Sequence, residues 1–379
     1  MTKFLEIQDL VLRFYTYEGV VRALEGVSLS IAPGETFGLV GETGCGKTVS
    51  ALSVLVLPPP PGKIEQGKIL FRQADGQVID LLSQGEAELQ RIRGREIAMI
   101  FQEPGAALDP VYTIGDQIGE VLFLHRWEEL CRRALAGLER EEAEVEGLLP
   151  FSAWERKLER AILQRLIQSR TLSGRLLSKL PLVTRRLRKE ARKISIELLK
   201  ELEIADPESV VDRYPHELSG GMKQRAVIAM AIACHPKLLI ADEPTTSLDV
   251  TIQAQILGLL RRLKQELGSS ILYITHNLAI VAEICDRVGV MYAGSVCEVA
   301  DVGELFHNPR HPYTKALLEA VPKAGSELKY IPGVVPRLID PPPGCRFHPR
   351  CPQVMPVCSQ ELPRLKEISP KHWVGCHLY

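Results

Sequence analysis

The sequence has no apolar run long enough to cross a bilayer, and it carries almost no net charge. Its longest apolar run lies near Ala226–Cys234, well short of the ~18 residues that a membrane-spanning helix needs. The 46 basic and 47 acidic residues give a formal net charge of −1, which excludes a chain-wide basic field of the kind that attracts nucleic acid. The segment Met1–Leu10 carries charges where a secretory signal peptide has an apolar stretch. We therefore expect the chain to stay in the cytosol unless a partner holds it at a membrane.

Aromatic residues are also scarce, at 6%, but apolar residues make up 45% of the 379 residues. That apolar share is sufficient for a sizeable core and argues against disorder. At about 150 residues per domain, the length suggests two domains, or one large domain with appendages. The nine cysteines are an odd number, and four of them crowd residues 345–376. In a reducing compartment such a cluster favours metal binding over disulfides.

Short apolar runs, separated by helical stretches, each end at a polar residue or a glycine. These runs and the residues that follow them are Thr36–Val40 with Gly41, Ile97–Phe101 with Gln102, Leu238–Ala241 with Asp242, and Ile271–Thr275 with His276. Fully apolar strands are typical of a mostly parallel sheet that is covered on both faces. Because ligands of such sheets bind beyond the carboxyl ends of the strands, the pattern predicts a single active-site rim. A further strand is predicted over Phe4–Leu12.

The segment Gly41-Glu-Thr-Gly-Cys-Gly-Lys-Thr48 follows a predicted strand, opens a predicted helix and matches the phosphate-binding P-loop. Its glycines let backbone N–H groups face phosphate oxygens, and the helix N-terminus adds a favourable dipole. Lys47 would reach the β- and γ-phosphates, and the Thr48 hydroxyl would bind Mg²⁺. The predicted ATP-binding residues of this segment are Gly41, Thr43, Gly44, Cys45, Gly46, Lys47, Thr48 and Val49.

The run Leu238-Leu-Ile-Ala-Asp-Glu243 places two acidic residues at the end of a strand. Asp242 would hold Mg²⁺ through water, and Glu243 would polarise the attacking water as a general base. An apolar run followed by Asp-Glu is common, so this interpretation depends on its pairing with the P-loop.

A third motif, Leu218-Ser-Gly-Gly-Met-Lys-Gln-Arg225, precedes an apolar helix. Ser219 can cap that helix, and the two glycines permit close approach of another backbone. Placed 24 residues before the Asp-Glu pair, the motif resembles the signature of ATP-binding-cassette (ABC) ATPases. The resemblance implies an α/β fold: a P-loop NTPase core with a mostly parallel sheet, an antiparallel β subdomain and an α-helical subdomain.

The resemblance also implies a role for individual residues. Two ABC domains face head to tail, and each ATP lies between the P-loop of one and the signature of the other; the signature residues acting in trans would be Ser219, Gly220, Gly221 and Gln224. The remaining family positions are Gln102 in the Q-loop, Asp249 in the D-loop after Ser247, and His276 as the switch histidine. Mg²⁺ would be held by Thr48, Gln102 and Asp242. Tyr17 would stack on adenine, with Phe14 and Tyr15 as rival candidates.

Three segments of the proline-rich tail point to a narrower family. His311–Leu318, Ile331–Gly333 and Gly344–Pro352 resemble the C-terminal extension of oligopeptide/dipeptide importer ATPases. The resemblance therefore implies an ABC nucleotide-binding domain over residues 1–307 and the extension over 308–379. The composition of the extension predicts a small, Cys-rich, extended appendage held by local crosslinks. The helical subdomain is predicted at about 103–235.

The four cysteines of the tail, Cys345, Cys351, Cys358 and Cys376, follow the spacing C-x5-C-x6-C-x17-C. Four thiolates can hold Zn²⁺ or a [4Fe–4S] cluster. The close Cys pairs of zinc sites are missing, and prolines beside Cys351 make a stiff loop suited to a bulky cluster. The family resemblance also favours the cluster, while zinc and free or disulfide-bonded cysteines stay open.

A long basic insert, at about 126–195, departs from the family pattern. Residues 150–193 hold 13 basic and three acidic residues. One interpretation is a helical extension whose arginines face solvent or pack on the helical subdomain; the other is contact with anionic lipid or with transmembrane subunits.

The resemblance as a whole implies a subunit that hydrolyses ATP to energise an importer of di- or oligopeptides at the cytoplasmic face of the membrane. Its expected partners are a paralogous ATPase subunit in a heterodimer, two permease subunits and an extracytoplasmic binding protein. The alternatives are the same role in import of nickel complexes or oligosaccharides, a cassette ATPase that acts on nucleic acid, and a regulatory cassette without hydrolysis.

Overall fold

The computed structural model describes residues 3–73, 75–144, 150–168, 181–246, 248–321 and 330–379. These residues belong to two compact units. The first unit comprises Met1–Gln102, Lys237–Ser247 and Gln253–Tyr379, and the second comprises Glu103–Pro236 and Leu248–Ile252. Within the described ranges, no helix combines the length and the apolar character needed to span a bilayer.

The strands of the first unit form two sheets. Their bounds are β1 (Leu5–Thr16), β2 (Gly19–Ile31), β3 (Thr36–Val40), β4 (Gly62–Arg72), β5 (Val78–Asp80), β6 (Ile97–Ile100), β7 (Leu238–Asp242), β8 (Ser270–Thr275), β9 (Arg287–Tyr292), β10 (Ser295–Asp301), β11 (Lys366–Ser369) and β12 (His372–Val374). The smaller sheet is antiparallel with order β2-β1-β4-β5, and the larger has order β11-β12-β10-β9-β3-β8-β7-β6.

The helices follow in chain order. Their bounds are α1 (Lys47–Val54), α2 (Glu86–Ile92), α3 (Pro104–Ala107), α4 (Ile114–His125), α5 (Trp127–Glu144), α6 (Pro150–Gln168), α7 (Pro181–Glu201), α8 (Pro207–Val210), α9 (Gly220–Ile232), α10 (Val250–Leu267), α11 (Leu278–Ile284), α12 (Val302–His307) and α13 (Pro312–Glu319). Short 3₁₀ turns cover Leu81–Ser83, Pro215–Glu217, His348–Arg350 and Pro356–Ser359.

The centre of the larger sheet is parallel, as the apolar runs predict. Strands β9, β3, β8, β7 and β6 pair in parallel, and every residue of β3, β7 and β8 is buried. Val40 lies opposite Thr275, and Asp242 lies opposite Ile274. The carboxyl ends of β3, β7 and β8 therefore meet at the same edge, where Gly41, Glu243 and His276 follow them.

The antiparallel sheet is buried on one face and more accessible on the other. Residues of β1 alternate between buried and more exposed positions over most of its length, as expected of a strand with one solvated face. The strand predicted over Phe4–Leu12 is found as β1 and continues to Thr16.

The proline-rich tail forms regular structure that its composition does not predict. It contributes helix α13, in which Pro312 occupies the first turn after the capping residue His311, and strand β12, which pairs antiparallel with β10. Tyr313 and Phe347 pack in the same buried cluster as Val40. All nine cysteines, each within the described part of the chain, are free thiols. Strand pairing and packing thus hold this segment, and the expectation of local crosslinks stays a prediction.

The second unit is helical. In α5, the buried residues Leu130, Ala134 and Leu138 recur every four positions, and this face packs against neighbouring helices because i and i+4 lie one above the other. Part of the basic insert is neutralised inside the unit: Arg186 of α7 forms ion pairs with Glu141 of α5 and with the buried Glu159 of α6. Residues 145–149 and 169–180 of the insert lie outside the described residues.

Candidate active site

The loop between β3 and α1 requires glycine at two positions. Gly41 has φ +154°, and a Cβ atom there would lie 2.2 Å from the backbone oxygen of Met291. Gly46, with φ +104°, would place a Cβ atom 2.8 Å from a Leu24 methyl and 2.9 Å from the Ala23 oxygen. A side chain at either position would displace the loop, because these neighbours include backbone atoms.

Lys47 begins helix α1 and folds back over the loop. Its Nζ atom donates to the backbone oxygens of Gly41, at 2.9 Å, and Glu42, at 3.2 Å. Thr43, Gly44 and Thr48 are exposed, and Val49 is half-buried. The side chain of Cys45 is buried, and burial raises the pKa of its thiol. Cys45 is thus a small residue packed inside the loop.

Asp242, at the end of β7, carries a buried oxygen that lacks a partner. Burial raises the pKa of Asp242, and the neighbouring Thr48 hydroxyl opposes the shift. Oδ1 accepts no hydrogen bond within the described chain. A buried carboxylate oxygen without a donor, next to a threonine hydroxyl, is the oxygen donor set that Mg²⁺ takes. The residues therefore fit a magnesium ion.

Glu243 is the centre of a polar network at the strand ends. Its Oε1 lies 2.9 Å from His276 Nδ1, and its Oε2 accepts from the Thr246 hydroxyl, at 2.9 Å, and from Gln102 Nε2, at 3.3 Å. Burial raises the pKa of Glu243, but the hydrogen bonds from His276 and Thr246 and the charge of Lys47 outweigh it, so the pKa lies below its ordinary value. Glu243 is thus ionised at neutral pH and can accept a proton.

The residues predicted at this rim therefore lie together. Gln102 and His276 each contact Glu243, and Asp242 and Thr48 interact beside them. The sequence interpretation missed Thr246, although it stands one turn after Glu243 in the segment Glu-Pro-Thr-Thr, where a hydroxyl three residues away can reach back to the carboxylate.

The aromatic candidates near residue 15 lie in different surroundings. Tyr17 is 98% exposed, whereas Phe14 packs against the core. Tyr15 is half-exposed, and its hydroxyl donates to Glu65. Tyr17 has the accessible ring that stacking on a flat ligand needs, and its assignment stays a prediction.

The signature residues lie in the second unit. Ser219 caps helix α9 by accepting a hydrogen bond from the Met222 N–H, at 3.4 Å. A Cβ atom at Gly220 would meet nothing within 4 Å, so its backbone is open to a partner. Gln224 is buried, and its Nε2 has no partner among the described residues. Asp249 accepts from the Ile252 N–H, at 2.9 Å; Ser247 lies outside the described residues.

The four tail cysteines lie close in the fold but do not form a metal-binding group. Within the described ranges, no group of three or more Cys, His, Asp or Glu side chains is placed to hold a metal ion. The backbone N–H of Cys345 donates to the oxygen of Cys358, at 2.8 Å. Burial raises the pKa of Cys345 to about 11, with smaller contributions from Cys358, Cys376 and Cys351. The donor chemistry fits a metal cluster, whereas the positions of the thiols in this structure do not.

Two family models match the chain. Residues 24–246 match the family described as "ABC transporter". Residues 297–358 match the "Oligopeptide/dipeptide transporter, C-terminal region".

Curated relatives match over nearly the whole length. The chain is 43% identical to a probable peptide ABC transporter ATP-binding protein, y4tR, of Sinorhizobium fredii, covering 98% of this chain and 94% of the relative. It is 40% identical to the dipeptide transport ATP-binding protein DppD of Bacillus subtilis, covering 100% and 95%. It is also 40% identical to the oligopeptide transport ATP-binding protein OppD of the same species, covering 99% and 88%.

Solved structures share the fold. A dimeric, post-hydrolysis state of the ATP-binding cassette MJ0796, bound to ADP and phosphate, aligns with a TM-score of 0.54 at 21% identity, covering 79% of this chain and 99% of that one. The cbiO1 protein of Clostridium perfringens aligns with a TM-score of 0.52 at 26% identity, covering 81% and 92%.

Proposed function

The chain belongs to the ABC transporter family, and from this premise we propose that it hydrolyses ATP at the rim of its parallel sheet to energise the import of dipeptides or oligopeptides. The observation that carries the proposal is the Glu243 carboxylate, which Gln102, Thr246 and His276 hold at the strand ends. The names of the curated relatives support the peptide as cargo.

The P-loop would bind the phosphates of ATP, and the polar network around Glu243 would activate the attacking water. Backbone N–H groups between Gly44 and Thr48 would bind the phosphates, and Lys47 would exchange the carbonyls that it now contacts for phosphate oxygens. The ionised Glu243 would orient the attacking water and accept its proton, while His276 and Gln102 keep the carboxylate aimed.

Magnesium fits the oxygen donors at the end of β7. Thr48, Asp242 and Gln102 would hold the ion, which neutralises phosphate charge when bound. The buried, unpartnered Asp242 oxygen supports this assignment.

A second ATPase chain completes the site in this proposal. The nucleotide held by the partner would be met by Ser219, Gly220 and Gly221, with Gln224 beneath them. Asp249 would lie near the interface between the two chains. The open space at Gly220 supports close approach. In this proposal the chain forms a heterodimer with a paralogous ATPase subunit and lies peripherally at the cytoplasmic face of the membrane. The importer also contains two permease subunits and an extracytoplasmic binding protein.

Substitutions at two positions test the ATPase proposal. We expect Glu243→Gln to bind ATP with unchanged affinity and to lose turnover by at least 100-fold, about 2.7 kcal/mol of transition-state stabilisation. Lys47→Ala, the matched variant in the P-loop, should lose ATP binding as well. Binding is measured by titration with a fluorescent ATP analogue, and turnover by phosphate release. Equal turnover in Glu243→Gln would remove this residue from its role.

We also propose that Cys345, Cys351, Cys358 and Cys376 bind a [4Fe–4S] cluster, with zinc as the alternative. All four thiols are free, and Cys345 interacts electrostatically with the other three, which supports the four cysteines as ligands of one cluster. Local rearrangement would bring the thiols within bonding distance of such a cluster. Anaerobic purification followed by iron and sulfide analysis should find about four of each per chain, and Cys358→Ser should lose both. Zinc without iron would support the alternative.

A further inference from the structure

Glu42, the second residue of the P-loop, is held from three sides. Its N–H donates to the Tyr313 hydroxyl, at 3.0 Å, and its backbone oxygen accepts from Lys47 Nζ, at 3.2 Å. Its carboxylate accepts two bonds from the Arg350 guanidinium, at 2.9 and 3.2 Å. Two of the three restraints therefore come from the C-terminal segment that follows residue 308.

Arg350 is built into this position. Its side chain is 4% exposed, and besides Glu42 it donates to the backbone oxygens of Ile331 and Pro332 and to the Tyr292 hydroxyl. These bonds use all five N–H donors of the guanidinium. The ring of Phe347 lies 6.0 Å from its central carbon. An arginine whose donors are all hydrogen-bonded is held in a single orientation, and its two-pronged bond fixes the carboxylate of Glu42 in turn.

The ion pair also removes a negative charge from the P-loop. Without Arg350, the half-buried Glu42 carboxylate would stand unpaired in a loop that binds a triphosphate. A like charge opposes the binding of an anion, most strongly where burial lowers the local dielectric. Arg350 thus acts on the loop through geometry and through charge.

We propose that Arg350 is a positioning residue for the P-loop: by clasping Glu42, it lets the C-terminal extension set the affinity of the site for ATP. This inference rests on the proposed function, because it takes the P-loop as the ATP site. Neither Glu42 nor Arg350 is expected to touch the reacting atoms.

The test compares Arg350→Ala with a matched control, Arg346→Ala, in the full-length chain. Arg346 is an equally buried arginine of the same extension, and it pairs with Glu25 of β2, outside the P-loop. Equilibrium titration with a fluorescent ATP analogue gives Kd for each variant. We expect Kd to rise at least tenfold in Arg350→Ala, which corresponds to about 1.4 kcal/mol, and less than threefold in the control.

A second variant separates positioning from general damage to the fold. Adding Glu42→Gln to Arg350→Ala removes the unpaired charge, so the double variant should recover the part of the affinity that was lost through charge repulsion, which a merely structural defect would not do. In steady-state hydrolysis, Arg350→Ala should raise KM while kcat stays within twofold. If Arg350→Ala does not fold, Arg350→Lys, which loses the two-pronged bond and keeps the charge, should raise Kd about threefold.

The outcomes distinguish this inference from the proposed function. If the unmodified chain does not bind ATP, the proposed function fails. If the unmodified chain binds ATP but Arg350→Ala matches Arg346→Ala, the positioning role of Arg350 is refuted while the ATP site stands. If Glu42→Gln restores nothing, the contribution of Arg350 through charge is refuted.

Discussion

Substitution of Glu298 tests the attachment of the C-terminal hairpin, formed by β11 and β12, to the larger sheet. Glu298 lies in β10 with no exposed surface. Its Oε1 accepts from the Arg310 N–H, at 2.8 Å, and lies 2.7 Å from His372 Nε2 in β12; its Oε2 accepts from the His311 N–H, at 2.9 Å. One buried carboxylate therefore joins β10 to two separate parts of the tail.

Glu298→Gln keeps the shape of the side chain and changes its hydrogen bonding. One oxygen becomes an amide NH₂ group that faces a donor, so two buried polar groups lose their partners. Each such group costs about 1–3 kcal/mol, and the expected loss in the free energy of unfolding is about 2–6 kcal/mol. That is a large share of the 5–15 kcal/mol that is typical of a folded protein.

Two measurements check this expectation. Urea unfolding followed by circular dichroism gives the change in stability, and hydrogen exchange with mass spectrometry reports on β12, where protection should fall first. Glu304→Gln is the matched control, because Glu304 lies 3.7 Å from the same His372 ring but is 40% exposed; its cost should stay within about 0.5 kcal/mol. If the two variants unfold alike and β12 remains protected in both, the reasoning about buried donors is refuted.

Two further substitutions concern the ATP site. Gly41→Ala places a Cβ atom 2.2 Å from the Met291 oxygen and should raise Kd for ATP more than tenfold. The control is Gly44→Ala, whose Cβ atom would meet nothing within 4 Å at φ +81°, so that it carries only a conformational cost of about 1–2 kcal/mol. Equal ATP titration curves for the two variants would contradict the steric argument. Thr246→Val removes a hydrogen bond that lowers the pKa of Glu243, so this pKa rises. Because turnover is lost as the pH falls through the pKa of Glu243, the acidic limb of the kcat–pH profile should move to higher pH. The control, Thr246→Ser, keeps the hydroxyl and should leave the acidic limb in place.

The sequence predicts the centre of the fold well, because its strands are short, fully apolar and followed by distinctive residues. Thr36–Val40 is found with the predicted bounds, and the strand ends place Gln102 and His276 in contact with Glu243. Parallel pairing is enough to bring these residues together, so their convergence needs no knowledge of side-chain packing.

The tail is predicted less well, for physical reasons. Helix α13 covers only Pro312–Glu319, too short for its periodicity to stand out from the surrounding prolines. Strand β12 pairs with β10, which lies some 70 residues earlier in the chain, and local sequence carries no signal of such a partner. The clasp between Arg350 and Glu42 is equally non-local, and Glu42 occupies a position of the P-loop motif that accepts any residue.

The β11–β12 hairpin has a protective consequence for the molecule in solution. Without it, β10 would end the larger sheet and present a row of unpaired N–H and C=O groups beside apolar side chains such as Val299. Exposed edges of this kind pair readily with strands of other chains and start aggregation. By covering β10, the hairpin leaves the short β11 outermost, and β11 includes Lys366 and Glu367. Charge on a short outer strand discourages such pairing between neighbouring molecules.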